Sequence, residues 1–262
     1  MTSAKKPLVY LILGAAGSGR REVLRDLIEG GLEEADRPAV MVSSGEAAGV
    51  GDAVVLPNLT TWEWSDGTIA GELPAGATHV FFVTDGRRNP VDQIEVFNAW
   101  LDARSAELAR VICIVNSQLA EKHPPLLAWY EACVHFADVV LLNKREGVAN
   151  KWMSGFIEHF KKLYYPCVFE LLKDGMVKNP PLILLPEARR MTHVFDEEQD
   201  WIFTNAEGEV IDEQEEVEDG DDEVEAKPEE DPYFERLNGG RRVKDLPDIA
   251  KFLDPSPKPA AN

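Results

Sequence analysis

Six small residues, Gly14-Ala15-Ala16-Gly17-Ser18-Gly19, lead into Arg20 and Arg21. An apolar run (residues 6–13) precedes them and a helical pattern (residues 20–29) follows. Small residues let successive backbone N–H groups curl around phosphate oxygens, and a helix N-terminus behind them adds partial positive charge. The spacing is that of the phosphate loop G-x-x-x-x-G-K-[ST]. Arg20 stands where Lys would reach the β/γ-phosphates, and Arg21 where a hydroxyl would hold Mg²⁺. Arginine still binds phosphate, with a larger, forked head. It has no acceptor and cannot ligate a cation. Two other readings share these residues: a strand-to-helix turn that binds nothing, and a dinucleotide turn G-x-x-G-x-G. The latter needs an acidic residue about twenty positions on, at the end of the next strand. That strand ends at Val42 and is followed by Ser43 and Ser44, so the phosphate loop is preferred.

Residues 137–146 read Ala-Asp-Val-Val-Leu-Leu-Asn143-Lys144-Arg-Glu146, an apolar strand ending in Asn-Lys-x-acid. At a strand tip such a segment can read guanine. The Asn meets the purine edge, the Lys stem packs over the base, and the acid accepts from N1–H and the 2-amino group. Glu146 is one methylene longer than Asp; it keeps the acceptor chemistry and shifts its reach. Alone, Asn-Lys-x-Glu is ordinary surface chemistry at a strand end. Downstream of a phosphate loop by the right number of βα units, it points to a purine nucleotide.

Over roughly residues 7–172 the chain resembles the CobW/HypB/UreG GTPases, specifically the CobW-like branch. The segment Glu131-Ala-Cys-Val-His-Phe-Ala-Asp-Val-Val-Leu-Leu-Asn143-Lys144-Arg-Glu146 is similar to that family's Q-x-x-x-A-D-x-x-x-L-N-K-x-D strand. Val83-Thr84-Asp85-Gly86-Arg87-Arg88-Asn89-Pro90 is similar to its E-T-S-G-L-A-D-P. The resemblance implies a P-loop fold and GTP or GDP as ligand, held by Gly14, Gly17, Ser18, Gly19, Arg20, Arg21, Asn143, Lys144 and Glu146. The departures fall on chemistry. The family's Glu, which organises Mg²⁺ and the attacking water, becomes Val83. The phosphate Lys and the magnesium hydroxyl become Arg20 and Arg21. The C-x-C-C metal motif has no counterpart in residues 58–67, and the Asp ending the family's next strand becomes Asn116. Phosphoryl transfer rests on positioning and charge stabilisation, with Mg²⁺ central to both. The expectation is therefore doubtful Mg²⁺ binding and weak or lost hydrolysis, with Asp85 as the one candidate for a cation or water contact. Arg87 and Arg88 either join Arg20 and Arg21 in an anion site or point to solvent.

Other candidates carry less. The five histidines show no metal-ligand spacing, and the three cysteines form no C-x-x-C. No metal site is expected. Trp62 and Trp64 alternate along a strand-like stretch, where packing is commoner than stacking on a ligand. Ser117 has no His/Asp pattern to mark it as a nucleophile.

The elements that must position these residues read as alternating strands and helices. Strand patterns fall at residues 6–13, 39–42, 52–56, 79–84, 110–115, 138–142 and 166–170, with an edge strand at 182–185. Helical spacing links Val23, Leu24, Leu27 and Ile28. It recurs in Val91, Ile94, Phe97, Leu101 and Leu108, after Pro124-Pro125, and in Val148, Trp152, Phe156 and Phe160. Continuous apolar strands separated by helices predict a mostly parallel α/β sheet with helices on both faces.

The whole chain is 262 residues with a formal net charge of −20. Residues 196–231 hold 19 of the 47 acidic residues and one of the 27 basic ones. The rest is nearly neutral and shows no basic face for a nucleic acid. No apolar run is long enough to span a membrane. Sparse cysteines and no secretory signal point to the cytoplasm. The expected organisation is a nucleotide-binding domain over residues 1–195 and an acidic, largely disordered tail over 196–262. Trp201–Phe203 and Val210–Ile211 would form a hairpin there, and a docking segment at the end would meet a protein partner. The expected function is CobW-like binding of a purine nucleotide, guanine favoured. The alternative is a non-catalytic scaffold that keeps the GTPase fold and works through its acidic tail. Sequence alone leaves a slow GTPase activity open.

Overall fold

Successive residues of a strand point to opposite faces of its sheet. In the computed structural model all five residues of the strand Val139–Asn143 are buried, so both faces of the sheet are covered there. The structure describes residues 6–47, 54–65, 67–196, 201–204, 210–211, 225–228 and 230–254. It divides into two compact units, one of Met1–Met191 with Leu246–Asn262, the other of Thr192–Asp245.

The first unit holds strands β1 (Leu8–Leu13), β2 (Pro38–Ser43), β3 (Leu59–Ser65), β4 (Thr68–Ala70), β5 (His79–Val83), β6 (Glu107–Asn116), β7 (Val139–Asn143) and β8 (Val168–Leu171). They form one sheet in the order β4-β3-β2-β5-β1-β6-β7-β8. All neighbours run parallel except β3 and β4. This is the expected mostly parallel α/β sheet. From β1 the chain passes beyond the place of β5 to reach β2; from β5 it crosses β1 to reach β6. Connections thus leave to opposite sides at the centre of the sheet, and ligands of open α/β sheets bind at the carboxyl ends of strands at such a point. The register sets those ends side by side, with Ile12 opposite Val83, Leu13 opposite Cys113, and Asn116 opposite Asn143.

The helices are α1 (Arg20–Gly31), α2 (Ser44–Ala47), α3 (Pro90–Asp102), α4 (Ser117–Lys122), α5 (Leu127–His135), α6 (Asn150–Lys162) and α7 (Pro180–Leu184). Helix α1 buries Val23, Leu24, Leu27 and Ile28, an i, i+1, i+4, i+5 stripe facing the core. Helix α3 starts where Asn89 accepts from the Val91 N–H at 2.9 Å and Pro90 supplies a preset first turn. Pro124 opens a 3₁₀ turn that runs into α5.

Three local expectations are corrected. Residues 182–185 do not make an edge strand. Pro180 and Pro181 fix the first turn of α7, which turns Ile183 and Leu184 into the core. Gly30 and Gly31 of α1 leave the room for this: a Cβ at either would stand within 3 Å of Pro180 or Leu184 side chains. The third strand is not at 52–56, whose described residues 54–56 are a bend and coil; it is β3, where Trp62 is buried against Phe82. Leu108 belongs to β6, not to the helix before it.

In the second unit β9 (Trp201–Thr204) pairs antiparallel with β10 (Val210–Ile211), as the hairpin expectation has it, and with β11 (Glu225–Pro228). Most of the acidic run lies outside the described residues. The segment 246–254 belongs to the first unit. Asp248 caps a 3₁₀ turn, Ile249–Phe252, by accepting from the Ala250 N–H at 3.2 Å, and Ile249 is buried. Phe252 meets the His123 ring edge-on at 5.3 Å between centroids. Among the described residues no helix is long and apolar enough to cross a membrane.

All three cysteines are free and buried. Burial pushes the Cys133 thiol up, helped by its hydrogen bond with Cys113, and pushes Cys167 up to about 12. A raised thiol pKa depletes the reactive thiolate at neutral pH. An aromatic disulfide reagent at pH 8 is expected to find no fast-reacting cysteine in the native protein and three after unfolding. Rapid titration of a native thiol would contradict this burial.

Candidate functional site

The turn between β1 and α1 lies at the carboxyl ends of the central strands. Gly14 (φ 141°), Gly17 (φ 78°) and Gly19 (φ 82°) all occupy the region that side chains avoid. A Cβ on Gly14 would stand 2.4 Å from the Ile114 carbonyl oxygen, so β6 passes too close for any other residue. Two backbone donors of the turn hold its shape: Ala16 N–H donates to Gly86 O at 3.0 Å and Ser18 N–H to Ala15 O at 3.1 Å. The N–H groups of Gly17, Gly19, Arg20 and Arg21 have no acceptor among the described residues. Four free donors at a helix N-terminus fit phosphate oxygens. Ser18 is fully buried and its Oγ has no hydrogen-bond partner among the described residues.

Each neighbouring strand tip holds the turn. Asn116, at the end of β6, donates from Nδ2 to Gly17 O at 3.3 Å while its Oδ1 caps α4 at the Leu119 N–H. Asn143, at the end of β7, donates from Nδ2 to Ser18 O at 2.9 Å. Lys144 follows with φ 50°, which brings its Cε to 3.2 Å from where a Gly19 Cβ would be. Glu146 is exposed, and its carboxylate makes no hydrogen bond or ion pair among the described residues. Asn143, Lys144 and the glycine turn, distant in sequence, therefore meet; the Glu146 carbonyl accepts from Gln118 Nε2 on α4 at 2.7 Å.

The arginines do not form the open cluster that sequence allowed. Arg20 is 6% exposed and forks: Nη1 donates to Thr84 O at 2.6 Å, and Nη2 to both carboxylate oxygens of Glu46 at 2.6 Å. Arg21 donates to the Glu46 carbonyl oxygen at 3.3 Å. Arg87 donates to Asp254 O at 3.0 Å. Arg88 is half exposed and pairs with Asp85 at 3.2 Å. Each has an internal acceptor on an adjoining loop or helix.

Asp85 is buried, and its carboxylate accepts from Arg87 N–H, Arg88 Nε and Ser43 Oγ at 3.0, 3.2 and 3.5 Å. Those partners organise the loop after β5. Gln93 completes it: its Oε1 accepts from Asp85 N–H at 2.6 Å and its Nε2 donates to Asp85 O at 3.0 Å. No group of three or more His, Cys, Asp or Glu residues fit to hold a metal ion occurs among the described residues. The side chains of Arg21 and Val83, which the resemblance aligns with its magnesium positions, carry no ligand oxygen. The turn thus fits a phosphate, and the described donors beside it do not fit Mg²⁺.

Glu46 and Gln93 carry parts of the site that no motif marked. Gly86 stood within the quoted Val83–Pro90 resemblance. Glu46 and Gln93 act through contacts 26 and eight residues away, which spacing does not reveal.

No protein-family profile matches the chain, and no curated protein matches it. Among solved structures it is similar to a Zn(II)-bound triple mutant of YjiA GTPase. That match has a TM-score of 0.45 and 15% identity, over 77% of this chain and 72% of that one. It is also similar to Zn(II)-bound YjiA GTPase from E. coli, with a TM-score of 0.43 at the same identity and coverage.

Gly86 tests the arrangement directly. A Cβ there would stand 2.3 Å from Ala16 N and 2.6 Å from Arg20 Nη2. Gly86→Ala is expected to cost about 1–3 kcal/mol by overpacking two loops against each other. Urea unfolding of the full chain measures it; an unchanged midpoint would mean the two loops do not touch as described.

Proposed function

We propose that the first unit binds a purine nucleotide, guanine favoured, with its phosphates in the turn Gly14–Arg21 and its base at Asn143, Lys144 and Glu146. The observation that carries this reading is the set of four free N–H groups at Gly17, Gly19, Arg20 and Arg21, at the switch point of the sheet. Its support at the other end is the approach of Asn143 and Lys144 to the same turn. Phosphates would take the free donors while the helix N-terminus adds its positive end. Lys144 would lay its stem along the base, and Glu146 would accept from the guanine N1–H and 2-amino groups.

Hydrolysis on this reading is slow or lost. A metal ion, when bound in such sites, neutralises the charge that develops on the transferred phosphoryl group. The side chains at Arg21 and Val83 supply no atom to hold one, and Asp85 is committed to the loop. The acidic C-terminal region serves a protein partner on the same reading, in a protein that takes no nucleic acid.

Calorimetry of the full chain with GDP, GTP and ATP, each with Mg²⁺ and with EDTA, tests the reading. Guanine nucleotides are expected to bind, with affinity little changed by EDTA. Silence in every titration would reduce the turn to a packing feature and leave the scaffold alternative. Fast Mg²⁺-dependent phosphate release would show that the chain holds a metal through other groups.

Glu146→Ala separates base from phosphate recognition. The variant is expected to lose about 1.5–3 kcal/mol of guanine binding, the size of a hydrogen bond to a charged group. ATP affinity should be unchanged, because adenine offers the carboxylate no matching pair of donors. Equal losses for both bases would place Glu146 outside the base site.

A further inference from the structure

The Glu46 carboxylate is held the way a phosphoryl group is held. Its Oε1 accepts from the Gly86 backbone N–H at 2.8 Å and from Arg20 Nη2 at 2.6 Å, and its Oε2 accepts from the same Nη2 at 2.6 Å. A backbone N–H beside a guanidinium is a donor pair for an oxyanion. Arg20 occupies the position whose side chain reaches the β/γ-phosphates in a phosphate loop. Gly86 is packed against that loop, with its carbonyl oxygen on Ala16 N–H at 3.0 Å. The donors that would face the last phosphate of a nucleotide are thus taken up by a carboxylate of the chain itself.

We propose that Glu46 occupies the terminal-phosphate subsite from within, so that the site takes a nucleoside diphosphate in preference to a triphosphate. The proposal rests on the nucleotide reading above. The free N–H groups of Gly17, Gly19, Arg20 and Arg21 make no contact with Glu46, so two phosphates keep their donors. A third phosphate has to displace Glu46 from Arg20 and Gly86, or lie beside it with like charges in contact. Either lowers the affinity for the triphosphate relative to the diphosphate. Displacement also strands a nearly buried guanidinium from its carboxylate until the phosphate replaces it. The Glu46 side chain is 15% exposed, so the pair stands at the edge of the site and not in the core.

The test is calorimetric titration of the full-length protein with GDP and with GTP in EDTA, beside the Glu46→Gln variant. Gln keeps the shape and an acceptor and removes the negative charge. The native protein is expected to bind GDP at least tenfold more tightly than GTP. Glu46→Gln is expected to narrow that ratio to threefold or less, chiefly through tighter GTP binding. Native binding of GTP as tight as GDP, or a ratio that the variant leaves unchanged, overturns the inference and leaves nucleotide binding standing. If neither nucleotide binds either protein, the nucleotide reading fails and the inference falls with it. Should Glu46→Gln not fold, Glu46→Asp draws the carboxylate back by one methylene. It is expected to narrow the ratio in part, and an unchanged ratio overturns the inference.

Discussion

Everything at the carboxyl end of this sheet depends on how closely the main chain of residues 14–19 can approach its neighbours. The strand order sets β1 between β5 and β6, with β7 next, so four strand tips end side by side. The turn leaving β1 must pass against them. At Gly14 the space for a side chain is taken by a carbonyl of β6, and at Gly86 by the backbone of the turn. Once the loops touch, Ala16 N–H finds Gly86 O, and Asn116 and Asn143 find the carbonyls of Gly17 and Ser18. The loop after β5 takes the Ala16 N–H, the tips of β6 and β7 take two carbonyls, and the Ser18 N–H closes on Ala15 O within the turn. The remaining N–H groups face the opening because nothing in the sheet is left to accept them.

Lys144 shows how the two halves of the site constrain each other. A non-glycine residue at φ 50° carries a conformational cost that surrounding structure must offset. Here Asn143, immediately before it, is anchored to Ser18 O, and the next turn closes with Val148 N–H on Arg145 O at 3.0 Å. The chain is fixed on both sides, and the Lys144 stem lies beside Gly19. An amide has two N–H donors and an acceptor oxygen. Anchoring the turn therefore leaves Asn143 with one donor and its carbonyl for another partner.

The sheet was legible because its central strands are continuous apolar runs, and burial on both faces imposes that pattern. The glycine turn and the Asn-Lys pair were legible because both depend on backbone geometry and local spacing. Residues 182–185 misled because a short apolar run has no period of its own, and the two prolines before it decide for a helical turn. For a different reason, the partners of the arginines were not legible. Sequence shows that a charge exists but not which carboxylate the fold brings to it. Glu46 lies 26 residues from Arg20 and meets it only because β2 ends next to β5. No spacing rule connects α2 to the turn after β1.

Arginine at position 20 has a consequence of its own. A lysine has three donors around a point charge and no fixed plane, whereas guanidinium presents a rigid fork. The fork at Arg20 spans two acceptors, Thr84 O just after β5 and the Glu46 carboxylate on α2 just after β2. It therefore ties the ends of β2 and β5 to α1 with charge-assisted bonds, and its charge is balanced within the protein. A cation reserved for a ligand lacks that balance until the ligand arrives, and near burial makes an unbalanced charge costly. Pairing Arg20 with Glu46 removes that cost and stabilises the loop by internal contacts alone. On the proposed nucleotide reading, the same pairing withdraws the cation from the phosphates. What remains for an incoming anion is the backbone, whose donors depend on the glycine geometry and not on the side chain at position 20.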